Sequence, residues 1–100
     1  MDIEDIRKTL HRVLPADGEA FLYGSRARGD NRPDSDWDVL IILNKPKLED
    51  SDYINISYPL TLMGIEQEQD IAPIMYTKEK WQQNSITPFY HNVINEGIRL

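Results

Sequence analysis

Gly24-Ser25-Arg26-Ala27-Arg28-Gly29-Asp30-Asn31-Arg32-Pro33-Asp34-Ser35-Asp36-Trp37-Asp38 joins a tight turn to a pair of aspartates. Its first end stops a short apolar run, Ala20 to Tyr23, which reads as a strand. Glycine has no β-carbon, so backbone N–H groups at Gly24-Ser25 can approach an anion closely, and Ser25 adds a hydroxyl donor. Such a turn suits the β- and γ-phosphates of a nucleotide, although turn propensity alone also accounts for a Gly-Ser pair. The other end, Asp36-Trp37-Asp38, opens a run that is wholly apolar from Val39 to Leu43. That run reads as a central strand buried on both faces. Strand residues two apart share a face with Cα atoms roughly 6.5 Å apart, so Asp36 and Asp38 point together and Trp37 points into the core. Adjacent carboxylates repel, and a divalent cation removes the repulsion. Oxygen ligands without histidine or cysteine point to Mg²⁺ or Mn²⁺. The alternative places both aspartates solvated in the preceding loop, since aspartate is common at strand entrances.

Upstream of this stretch, Ile3, Ile6, Leu10, Val13 and Leu14 recur at helical spacing, with Asp2 as N-cap and Pro15 as the stop. Asp17-Gly18 turns the chain into the Ala20–Tyr23 strand. Downstream, Asn44 to Asp50 is a surface loop. Tyr53, Ile56, Leu60 and Met63 predict a helix over Ser51 to Gly64 that Pro59 kinks or splits. Asp70 to Tyr76 reads as a strand in which Pro73 requires an edge position or a bulge. Lys78 to Gln83 is a short helical turn, and Trp81 anchors it. Thr87-Pro88 opens a helix to residue 96 with Gly97 as its C′ residue, and Ile98-Arg99-Leu100 is a tail or brief strand. The sum is a small α+β domain, a mixed β-sheet with helices packed on it. His11 and His91 are isolated and read as structural or exposed. Tyr53, Tyr58, Tyr76 and Tyr90 read as core or interface.

The chain has 100 residues, enough for one domain, with 40% hydrophobic and 28% charged residues. Without cysteine there is no disulfide framework and no thiolate chemistry, as expected of a cytoplasmic protein. The acidic N-terminus does not read as a signal peptide, and no apolar run is long enough for a membrane span. A net charge of −6 opposes general nucleic-acid binding and favours carboxylates gathered for metal, or docking on a basic partner.

Gly-Ser, a ten-residue gap and Asp-x-Asp at a strand start resemble the signature of the nucleotidyltransferase superfamily that includes DNA polymerase beta. The fuller form, Gly-Ser-Arg-Ala-Arg-Gly followed by Ser-Asp-Trp-Asp, is similar to the minimal nucleotidyltransferases of prokaryotes. These are chains of about this length, often paired with a helical HEPN-domain protein in toxin–antitoxin modules. The resemblance implies the nucleotidyltransferase fold and a third carboxylate on a neighbouring strand. Asp70 occupies that place, although by position alone it reads as a solvated charge. It also implies two metal ions, Mg²⁺ or Mn²⁺, bridged by Asp36 and Asp38, with Asp70 binding the catalytic ion and helping to deprotonate the attacking hydroxyl. Gly24 and Ser25 would hold the triphosphate tail, and Arg26 and Arg28 are candidate phosphate clamps.

The expected activity is transfer of a nucleoside monophosphate, AMP from ATP, to a hydroxyl such as a tyrosine of a HEPN partner toxin. The rival is a non-catalytic antitoxin that neutralises a basic partner ribonuclease by contact; under either reading a homo- or hetero-oligomer is compatible with the sequence. An intact set of three aspartates favours catalysis. A drug-modifying nucleotidyltransferase is disfavoured, because those enzymes usually carry an added substrate-binding domain.

Overall fold

The computed structural model describes residues 1–100. Helix α1 (Ile3–Val13) begins at Asp2, whose carboxylate accepts from the Asp5 N–H while Asp5 accepts from the Asp2 N–H, a capping box. Strand β1 (Glu19–Tyr23) runs into Gly24 and a one-turn helix, α2 (Ser25–Arg28), which the sequence reading placed in loop. Strand β2 (Trp37–Leu43) follows, as its apolar run predicts. Next come a short turn, α3 (Asp50–Asp52), a π-helical segment (Tyr53–Ser57) and α4 (Tyr58–Glu66). Pro59 lies inside a continuous helical run, two residues after the π segment, and lacks the N–H that an interior position would use. The π segment just before it takes up the change of hydrogen-bond register, so the predicted kink is a π turn. Strand β3 (Ile71–Thr77), α5 (Lys78–Gln83), α6 (Pro88–Glu96) and β4 (Ile98–Arg99) complete the chain.

The sheet order is β3-β2-β1-β4. Strands β1 and β2 are antiparallel, β1 and β4 antiparallel, and β2 and β3 parallel, so the sheet is mixed as expected. The parallel pair is joined by the α3–π–α4 crossover. Trp37 pairs with Ile71 and its N–H donates to the Asp70 carbonyl (2.8 Å), so even-numbered β3 residues exchange bonds with β2. Odd-numbered residues face the free edge, and Pro73 is one of them, so its missing N–H costs no ladder bond.

Side-chain alternation gives the sheet two unlike faces. On one, Ala20, Leu22, Trp37, Val39, Ile41 and Leu43 pack with Ile6 and Leu10 of α1 and with Ile56 and Leu60. On the other, Leu40 and Ile42 meet Trp81 of α5 and Val93 of α6, with Phe21, Tyr23, Tyr76, Phe89 and Tyr90 around them. Gly97 does not take the left-handed conformation expected of a C′ residue; its φ is −66°. The glycine is needed there because a β-carbon would collide with the Val93 carbonyl. Tyr53 and Tyr58 are exposed rather than in the core, whereas Trp81 is buried as expected. His11 and His91 are both exposed. No helix is long and apolar enough to cross a membrane.

Candidate functional site

The turn and the aspartates meet where β1 ends and β2 begins. Tyr23 pairs across the ladder with Asp38, so Gly24 follows directly beside that carboxylate. Gly24 has φ 77° and ψ −158°, a conformation open to glycine alone. A β-carbon on it would also strike Asp38 Oδ2. Glycine is therefore required by backbone geometry, and a β-carbon there would in addition displace the Asp38 carboxylate. The sequence reading, which invoked anion approach only, missed the second reason.

Asp38 is half-buried on the aromatic face of the sheet, while Trp37 is buried on the opposite, aliphatic face. Burial pushes the Asp38 carboxyl above its ordinary value, and the neighbouring Asp36 carboxylate pushes it further; the Arg28 guanidinium acts in the opposite sense. Tyr23 is raised as well, first by burial, then by the Asp38 charge and by Tyr76. None of Asp36, Asp38 and Asp70 takes part in a salt bridge. The Asp36–Asp38 pair, in mutual repulsion and outside every ion pair, offers oxygen donors of the kind a hard divalent cation takes.

Asp70 stands one residue before the Trp37–Ile71 pair, in line with Asp36. The turn after α4 sets this position. Glu68 adopts φ 56°, the Gln69 N–H donates to the Gly64 carbonyl (2.8 Å), and the Trp37 indole N–H donates to Gln69 Oε1 (2.6 Å). The Asp70 side chain is exposed and lines a shallow cleft with Pro33, Asp34, Ser35, Glu68 and Gln69. No three acidic or imidazole side chains gather closely enough to hold a metal ion as a trio. Asp36 and Asp38 are neighbours at the start of β2, and Asp70 begins the next strand at the register position beside Asp36.

Arg26 holds the loop that follows the turn. Its Nε donates to the Ser35 carbonyl (3.2 Å) and its Nη2 to the carbonyls of Ser35 (2.9 Å) and Pro33 (3.0 Å). Its guanidinium lies 4.2 Å from the centre of the Trp37 ring. Arg26 thus pins the loop that delivers Asp36 through its Nε and Nη2. Arg28 is half-exposed beside Asp38 and donates to Asp30 (3.2 Å) and to Glu96 at the end of α6 (3.4 Å). Sequence reading also missed Tyr23 and Glu96, whose proximity to the site follows from strand register and helix packing.

Three solved structures share this fold. A crystal structure of a toxin–antitoxin with AMP-PNP has a TM-score of 0.68 at 17% identity, over 99% of this chain and 72% of that one. Crystal structures of two variants of the toxin–antitoxin MntA-HpeT give TM-scores of 0.63 at 17% identity and 0.68 at 15%. They cover 100% and 99% of this chain, and 71% and 72% of theirs. Nothing among the curated proteins matches. The family model described as "Nucleotidyltransferase domain" matches residues 2–90, nearly all of the stretch that builds the sheet and the turn. The chain belongs to the nucleotidyltransferase domain family.

Proposed function

We propose that this chain transfers AMP from ATP to a hydroxyl, with a tyrosine of a HEPN-domain partner toxin as acceptor, and so acts as an antitoxin. The observation that carries the reading is the half-buried Asp38 carboxylate set against Gly24, beside Asp36 and with no cation paired to it. Family membership supports the reaction class, and the fold shared with toxin–antitoxin structures supports the partner.

Asp36 and Asp38 would hold Mg²⁺, and Asp70, one strand away, would have to turn toward them to join as the third carboxylate; Mn²⁺ has the same ligand preference. When bound, Mg²⁺ neutralises the charge that builds on the phosphate oxygens and the departing pyrophosphate. Gly24 and Ser25 receive the triphosphate tail, where the first N–H groups of α2 lack intrahelical partners. Arg28 adds a cation on the Asp38 side of the turn. The acceptor oxygen attacks the α-phosphorus, the bond to the bridging oxygen of pyrophosphate breaks, and the acceptor proton passes to Asp70.

The test is incubation of the chain with its co-expressed partner, Mg²⁺ and ATP labelled at the α-phosphate. The expected result is covalent label on the partner that depends on Mg²⁺, with a tyrosine carrying the added AMP. A partner that is neutralised but acquires no label would replace catalysis with inhibition by contact.

A further inference from the structure

Helix α6 ends on Glu96, a carboxylate at the end of a helix where the macrodipole disfavours negative charge. Strand register fixes where that carboxylate lies. Leu22 of β1 pairs with Ile98 of β4, so the antiparallel course brings Glu96, two residues before Ile98, back toward Gly24, two residues after Leu22. An acidic side chain therefore stands beside the turn proposed to receive a triphosphate, which is a second unfavourable place for it. The group that compensates is Arg28. Its Nη1 donates to Glu96 Oε2 (3.4 Å) and its Nε to Asp30 Oδ2 (3.2 Å), while Nη2 has no protein partner. The Arg28–Glu96 contact is the one hydrogen bond by which residues 24–36 reach another part of the chain.

We propose that Glu96 is a positioning residue for the nucleotide: it holds the Arg28 guanidinium beside the turn, with Nη2 left to donate to the triphosphate. The inference rests on the reading of Gly24 and Ser25 as the nucleotide turn and of Arg28 as a phosphate donor, and it extends that site to α6. An unheld arginine has many rotamers, and a phosphate contact must remove that freedom. Bonds at Nε and Nη1 remove it before the nucleotide arrives, which is the gain of preorganisation. Repulsion between Glu96 and the phosphates works against this, but both partners of the pair are open to solvent, where water and salt screen charges that are not in contact. Exposure also means that the pair adds little to folding stability. Its effect is on binding, through Arg28.

The experiment is a double-mutant cycle in Mg²⁺-ATP affinity, read by calorimetric titration of the wild type, Glu96→Ala, Arg28→Ala and the double variant, each checked for folding by circular dichroism. Glu96→Ala should weaken binding about threefold to tenfold. The same change in the Arg28→Ala background should have no further effect, because Glu96 acts only through that side chain. Glu96→Gln keeps an acceptor oxygen at the same reach and should stay within about twofold of the wild type. Tighter binding by Glu96→Ala would make the carboxylate a competitor of the phosphates and overturn the proposal. So would equal losses from Glu96→Ala in the two backgrounds, or a loss in Glu96→Gln as large as in Glu96→Ala. A wild type that binds Mg²⁺-ATP while the cycle shows no coupling overturns this inference alone; a wild type that binds none overturns the nucleotide site with it.

Discussion

The sheet face under α1 and α4 is aliphatic and closed, whereas the face under α5 and α6 is aromatic and carries an aspartate into half-buried surroundings. Trp37 and Asp38 are adjacent in sequence yet serve these opposite faces. The Trp37 side buries nonpolar surface with its polar atoms satisfied, down to the indole N–H on Gln69. On the Asp38 side a carboxylate is held above its ordinary pKa beside a second carboxylate and a strained glycine. Stability explains the first arrangement and does not explain the second, because a solvated or apolar residue at 38 would avoid the repulsion. The difference sets the candidate site apart on the aromatic face, beside the β1–α2 turn.

If the two faces are specialised in this way, substitutions on them should separate activity from stability. The largest effect expected is on transfer. Asp38→Asn should lower the transfer rate by about 10⁴-fold, roughly 5 kcal/mol of lost transition-state stabilisation, in the labelled-ATP assay. Trp37→Ala, one residue away, should instead cost about 3–5 kcal/mol of unfolding free energy in urea titration, with activity per folded molecule largely kept. Equal losses of both kinds in both variants would erase the distinction between the faces.

Two glycines sharpen the comparison within the loop. Gly24 and Gly29 both have positive φ, at 77° and 83°, but a β-carbon meets Asp38 at Gly24 and nothing within 4 Å at Gly29. Gly24→Ala should cost about 2–3 kcal/mol and weaken nucleotide and metal binding together, since Asp38 must move. Gly29→Ala should cost only the backbone strain of about 1–2 kcal/mol and leave binding intact. Matching binding losses in the two would show that the turn acts through backbone conformation alone.

The smallest effect is on the stability of metal-free protein. Asp38 has a raised pKa when folded, so the unfolded chain ionises first as pH rises, and stability falls through the window from the ordinary carboxylate range up to the folded value. Below that window the carboxyl is protonated in both states. Asp38→Asn should therefore match the wild-type melting temperature near pH 3 and exceed it by roughly 1–5 °C at pH 7. A variant less stable than wild type at pH 7 would make Asp38 a structural residue.

The readable parts of the fold were those that one periodicity determines. The apolar run Val39–Leu43, the Asp2-capped stripe of α1 and the Thr87-Pro88 start of α6 each lie where local pattern and tertiary burial agree. The π turn before Pro59 and the helical turn α2 follow from hydrogen-bond adjustments that composition does not encode. At the candidate site, the nearness of Gly24 to Asp38 was legible because one ends and the other begins neighbouring strands. The loop-holding contacts of Arg26 were not legible because its partners, the Ser35 and Pro33 carbonyls and the Trp37 ring, assemble only when the loop closes. Asp70 depends on the β2–β3 register and on the turn at Glu68, and neither can be read from the residue itself.

The most direct test of the central claim is calorimetric titration of ATP into the wild type and Asp38→Asn, each with and without Mg²⁺. The two-face account predicts that the wild type binds ATP in a Mg²⁺-dependent manner and that the folded Asp38→Asn variant loses most of that dependence. ATP binding that is equal in the two proteins, with Mg²⁺ making no difference, would contradict it.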